Sequence, residues 1–144
     1  MKLSDTGKLV IYMGDSSGGC LFKFVSSGTF DAAKGRYNSE LLTEGALYAA
    51  HLADGTCIPL KMEAVGKQLK RSDFVLPRLI GYSQEQLLSL LQEEADTYVY
   101  ATEAALILGA TPLDRQGDIA IRPADNAPYV SFIHNDAQGN VYGK

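Results

Sequence analysis

A chain of 144 residues with 46% hydrophobic and 21% charged residues can bury one core, and its formal charge of -4 argues against a nucleic-acid partner. Eight Tyr and five Phe lack an interleaved basic stripe, which excludes a stacking platform for single strands. No apolar run is long enough to cross a bilayer, and two Cys and two His lie too far apart in sequence for a metal knuckle.

Lys8 to Met13 reads as a strand and Cys20 to Val25 as another, joined by Gly14-Asp15-Ser16-Ser17-Gly18-Gly19. A phosphate cradle leads into a helix whose amides face the anion; no helix follows here, so this loop is a hairpin turn. Asp15 is its carboxylate, able to bind a hard cation. Ser26 to Thr43 is polar and irregular and is expected to wrap the surface as a long connection. Gly45 to Ala53 and Thr56 to Met62 then form a hairpin about Asp54-Gly55, the strongest short turn signal in the chain. His51 falls in the first of these strands and is read as a satisfied or exposed histidine. The basic run from Lys67 to Arg71 is read as a solvated loop. Cys20 and Cys57 are expected to be core thiols in strands, with a disulfide only if those strands are neighbours.

A helical insertion at about 83–108 follows. Ser83 and Gln86 make a capping box, with Tyr82 and Leu87 placed as a hydrophobic staple. Leu87, Leu91, Ala95, Tyr98, Thr102 and Leu106 recur at helical spacing as the buried stripe. Glu94 lies on or near that stripe, which implies a break near Glu94-Ala95 or a carboxylate with a partner. The helix should stop at Leu108-Gly109, because glycine takes the left-handed cap conformation and Pro112 cannot continue a helix. Beyond it, Asp114-Arg115 sits at a strand mouth. Ile119 and Ile121, a Pro-Ala-Asp-Asn-Ala-Pro turn, then Tyr129, Phe132 and His134 read as a closing hairpin. His134, at its end, is read as a bland strand-end histidine.

The stretch Leu108-Gly109-Ala110-Thr111 with Asp114-Arg115, Ile119 and Tyr129-Val130 resembles the PhoX-type alkaline phosphatases. So do Tyr12-Met13-Gly14-Asp15, Lys23-Phe24-Val25-Ser26 and Asn38-Ser39-Glu40-Leu41-Leu42-Thr43-Glu44-Gly45-Ala46-Leu47-Tyr48. The resemblance implies an α+β chain, mainly antiparallel strand pairs forming part of a β-propeller. The pairs at 8–25, 45–62 and 119–134 would belong to adjacent blades. Residues 1–144 are then one domain and a fragment, the C-terminal region, of a larger secreted phosphatase. No leader precedes Leu3, so a periplasmic or extracellular location comes from the resemblance alone.

The resemblance also implies phosphomonoester hydrolysis with calcium and iron, and it carries Arg115 over as the phosphate-contacting arginine. Guanidinium grips phosphate oxygens as a planar fork. From the residues alone, a structural pair of Arg115 with Asp114 or a nearby carboxylate is the favoured reading, and the resemblance brings the phosphate contact level with it. Gln116-Gly117 stands where the family has Pro-Glu, so the family's metal-binding glutamate falls on Gly117, which has no side-chain ligand. Asp118 would point to the opposite face unless a bulge intervenes. Asp15 and Asp118 are therefore secondary metal candidates, and neither Cys20 nor Cys57 matches the family's cysteine. Thr102 stands where the family has an arginine. The isolated chain is expected to be inactive. The alternative is a non-catalytic propeller-derived module that binds through the loops at 14–19 and 26–43. In either case a bare fragment would expose strand edges, to be covered by refolding, by self-association or by its long loops.

Overall fold

A computed structural model describes residues 1–15 and 19–133, so His134 lies outside the described residues. Five antiparallel strands form one sheet in sequence order: β1 (Lys2–Leu3), β2 (Lys8–Met13), β3 (Phe22–Thr29), β4 (Gly45–His51) and β5 (Thr56–Pro59). Four helices follow: α1 (Met62–Leu69), α2 (Gln84–Leu90), α3 (Asp96–Val99) and α4 (Ala101–Ile107). A separate hairpin of β6 (Gln116–Ile121) and β7 (Pro128–Phe132) closes the described chain. The protein is α+β, with antiparallel sheets throughout.

The strand pairs at 8–25 and 45–62 do not belong to separate blades. Phe22 to Ser26 pair with Ala49 to Gly45, which fuses both hairpins into one meander. Strand β3 also runs on to Thr29, where the sequence pattern had placed a loop. Two extra residues enter β3 between Val25 and Thr29, and the buried Ser26 hydroxyl settles the irregularity by accepting from Leu9 N and donating to Gly28 O. The rest of the long connection is a kinked 3-10 segment, Ala32–Leu42, not an irregular wrap.

Alternation along the strands gives the sheet two apolar faces. Phe22, Ala49, Leu47 and Ile58 meet Val65, Leu69, Leu87, Leu91 and residues 104–107 of the helices. On the other face, Leu21 and Ala50 meet Leu113, with Leu52, Ile119, Val130 and Phe132 packed around them. Three layers result: helices, sheet and hairpin.

The helical region departs from a single insertion. Met62, expected to end a strand, begins α1, and Lys67 lies in the last turn of that helix. The capping box at Ser83 and Gln86 forms as expected. Tyr82, however, stacks edge-on with Tyr100 at 6.2 Å, while Leu87 is fully buried. The break falls between Leu91 and Asp96, where the Asp96 carboxylate accepts from Gln92 N and Glu93 N. That break resets the helical phase. Thr97 is buried and Tyr98 is exposed, so the stripe continued through Ala95, Tyr98 and Thr102 gives way to Ala104, Ala105, Leu106 and Ile107. Glu94 has its partner as well: it accepts from Lys61 Nζ and from Met62 N, both at 2.9 Å, so it caps α1 from across the break.

Where β3 and β4 pair, Gly45 lies under the Phe24 ring, and a Cβ there would come 2.3 Å from that ring and 2.5 Å from Val25 O. Gly45→Ala is expected to cost roughly 2–3 kcal/mol, as an overpacked core site does, read as a drop in the urea midpoint at unchanged slope.

Candidate functional site

Helix α4 ends at Ile107 with Leu108 as its cap, and Gly109 adopts φ +87, the left-handed turn that releases the chain toward the sheet. Thr111 then clasps the end of β4: its N–H donates to Ala50 O at 3.0 Å, and its hydroxyl accepts from Leu52 N at 2.8 Å. Two residues on, Leu113 and Gly19 exchange backbone hydrogen bonds of 2.7 and 3.1 Å. This bridge ties Gly19 to the strand mouth, two residues before Arg115.

Asp114 is buried and Arg115 is exposed, as alternation requires. The Arg115 carbonyl accepts from Ile133 N at 2.9 Å, which pins the backbone beneath the guanidinium. Among the described residues no salt bridge involves Arg115. Among the described residues, the pairing of Arg115 with Asp114 or another carboxylate is not made.

A bulge decides the position of Asp118. Gln116 pairs with Phe132 and Ile119 with Val130, so β6 carries one residue more than β7 between these pairs. Gly117 and Asp118 both stand opposite Ser131, whose hydroxyl accepts from Asp118 N at 2.9 Å. Asp118 is exposed and follows Arg115 onto the outer side of the hairpin, where unbroken alternation would have turned it away. A Cβ on Gly117 would lie 2.8 Å from Ser131 Oγ, so this bulge favours a glycine at 117.

Gln116 is a feature the sequence reading missed. It is 2% exposed, and neither Oε1 nor Nε2 has a hydrogen-bond partner among the described residues. It packs over Gly14, where a Cβ would come 2.9 Å from Gln116 Cβ. The available signal was a polar residue on the inward phase of β6, two positions beyond Asp114.

Asp15 turns back along its own loop, with Oδ2 2.7 Å from where a Gly19 Cβ would stand. Next to it, burial and then the Asp15 charge push the Cys20 thiol up to about 12, so it stays protonated and inert near neutral pH. Cys20 is the core thiol that was expected, although it precedes β3 instead of lying within it. Cys57 is exposed, contrary to expectation, and both cysteines are free. His51 is satisfied by a partner the sequence reading overlooked: its Nδ1 lies 2.7 Å from Asp54 Oδ1 across the hairpin turn. The Thr56 hydroxyl, then His51, hold the Asp54 carboxyl down near 2.

Calcium takes six to eight oxygen ligands, and iron sites draw on imidazole, thiolate and carboxylate. Among the described residues no group of three or more His, Cys, Asp or Glu side chains is placed to hold a metal ion. Cys20 is a protonated thiol and His51 is committed to Asp54, so the donors described do not complete either site.

The described fold is an antiparallel α+β scaffold that presents an exposed arginine at a strand mouth. The chain matches the profile of "Alkaline phosphatase PhoX" over residues 1–141. It belongs to the PhoX alkaline phosphatase family. It is similar to the structure of Pseudomonas fluorescens PhoX in complex with vanadate, a transition-state analogue, at 26% identity and a TM-score of 0.68. That likeness covers 95% of this chain and 23% of the other, so the chain spans about a quarter of the solved protein. No curated protein matches.

Two measurements test these assignments. Gln116→Met keeps the volume and removes two unpartnered polar atoms, so it is expected to raise stability by about 1 kcal/mol or more in denaturant unfolding. The folded Asp54 carboxyl titrates near 2 against an ordinary value of 3.8, so its contribution is complete above about pH 4 and is lost as pH falls toward 2. Asp54→Asn is therefore expected to flatten the fall in stability across that window.

Proposed function

We propose that this chain is part of a secreted phosphomonoesterase, in which it supplies the arginine that grips the phosphoryl group. The observation that carries this reading is the exposed Arg115 without a salt bridge, on backbone fixed by Ile133 and by the clasp through Thr111 and Leu113. Phosphoryl transfer is accelerated mainly by positioning and by positive charge at the equatorial oxygens. A guanidinium held this way offers a planar pair of donors to two of them.

Asp118 is the carboxylate that stands in for the glutamate lost at Gly117. The one-residue bulge supports this, because it carries Asp118 to the side of the hairpin that Arg115 occupies. Asp15, on the loop whose Gly19 bridges to Leu113, is the second carboxylate offered to a hard cation, calcium by family resemblance. Neither completes a metal centre, so the remaining ligands, and any iron, come from elsewhere in a larger propeller of which residues 1–144 are a portion. The chain alone is then inactive. Its edge strands β1 and β5 pair with that larger protein or with a second copy. A periplasmic or extracellular location follows from the same family reading, and no described helix is long and apolar enough to cross a membrane.

A second reading is a non-catalytic module, and Gly117 with the incomplete donor set favours it. Hydrolysis of p-nitrophenyl phosphate by the longest product of the gene, loaded with calcium and iron, separates the two. Arg115→Ala is expected to lower kcat/KM by roughly 100-fold or more and Arg115→Lys to recover only part of it, as for loss of one preorganised charge contact. Equal activity of Arg115→Ala and the parent sinks the phosphate-grip assignment, and no turnover by the loaded parent leaves the binding-module reading standing.

A further inference from the structure

The outer face of the main sheet holds a cavity that the phosphatase reading does not use. It encloses about 250 Å³ where the tip of the β6–β7 hairpin overhangs the sheet, between Pro128 and the strand residues Tyr12, Lys23, Ala50 and Cys57. Pro128 pairs with Ile121, six residues along from Arg115. At the rise of an extended strand that is roughly 20 Å, so this is a second location and not an arm of the Arg115 site.

Register explains its chemistry. Tyr12 pairs with Lys23, and Ala50 with Cys57, so these side chains share one face of the sheet with Leu21. The walls are mostly apolar, and among the described residues Lys23 is the only charged one that lines the space. Its ammonium lies 5.3 Å from the centre of the Tyr48 ring, which holds the cation against the sheet. Among the described residues no carboxylate lines the cavity to neutralise it. An apolar chamber with one cation at its wall suits a ligand with a hydrocarbon body and a single negative charge, because the body gains from burial and the head gains a charged donor. One ammonium matches a monoanion better than a phosphate dianion.

We propose that this cavity binds a small amphipathic monoanion of the medium-chain carboxylate type, with Lys23 holding its head group. Cys57 provides the test within the protein itself, since it lines the cavity and is exposed, while Cys20, the other thiol, is fully buried. The rate at which neutral iodoacetamide alkylates Cys57 is measured on the full chain with octanoate, with octanol, and in Lys23→Gln. Octanoate at about four times its dissociation constant is expected to slow alkylation about fivefold by simple occupancy. Octanol should leave the rate near its starting value, and Lys23→Gln should lose the octanoate protection.

An unchanged rate with octanoate overturns the proposal. So does equal protection by octanol, or by octanoate in Lys23→Gln, because the charge would then play no part. A Cys57 that reacts only after unfolding overturns it as well, since the cavity would be closed in the native protein. None of these outcomes depends on Arg115.

Discussion

Thr111 and Leu113 tie the exit of α4 to two different places on the sheet, and the layout of the site depends on that clasp. Thr111 holds the end of β4 through a donor and an acceptor, and Leu113 exchanges hydrogen bonds with Gly19 before β3 begins. Both residues are buried, so water does not compete for these bonds. Without the clasp, the hairpin would have no fixed relation to the sheet and the second apolar cluster would lose its centre, since Leu113 is the residue that Leu21 and Ala50 meet. The Leu-Gly-Ala-Thr motif is thus a device for leaving a helix and joining a sheet, and the arginine four residues beyond the threonine inherits its position.

Inside that frame, the hairpin separates polar residues by face. Asp114 and Gln116 point inward and are buried, while Arg115 and Asp118 emerge on the outside. The bulge makes the second pairing of faces, and glycine at 117 is what allows Ser131 to close against it. Glycine at 117 is therefore what lets Asp118 reach the outer side of the hairpin.

The surface ion pairs contribute little to this arrangement. Arg71 with Asp73 and Arg122 with Asp125 are exposed and locally paired, so solvent screens them and they add little to stability. Glu94 is different in kind, because it closes the N-terminus of α1 across the break in the helical region and so joins elements far apart in sequence. Burial on the two faces of the sheet and the clasp carry the fold.

Much of this was legible in the residues. Asp54-Gly55 fixed a hairpin, Ser83 with Gln86 a helix start, Gly109 a helix stop, and the motif from Leu108 to Arg115 the family, because each is a short-range signal written within a few residues. The fusion of two hairpins into one sheet was not legible, since the pairing of β3 with β4 spans the 3-10 segment and depends on what covers each face. Nor was the break after Leu91, whose phase shift is set by Asp96 capping and by helix packing. The bulge at Gly117-Asp118 needed the partner strand, because register exists only between two strands. The sequence by itself determined the turns, the caps, the arginine and its family. The tertiary structure decided which carboxylate shares its side and that Gln116 lies buried without a partner, because side-chain direction and burial are properties of a pairing and not of a residue.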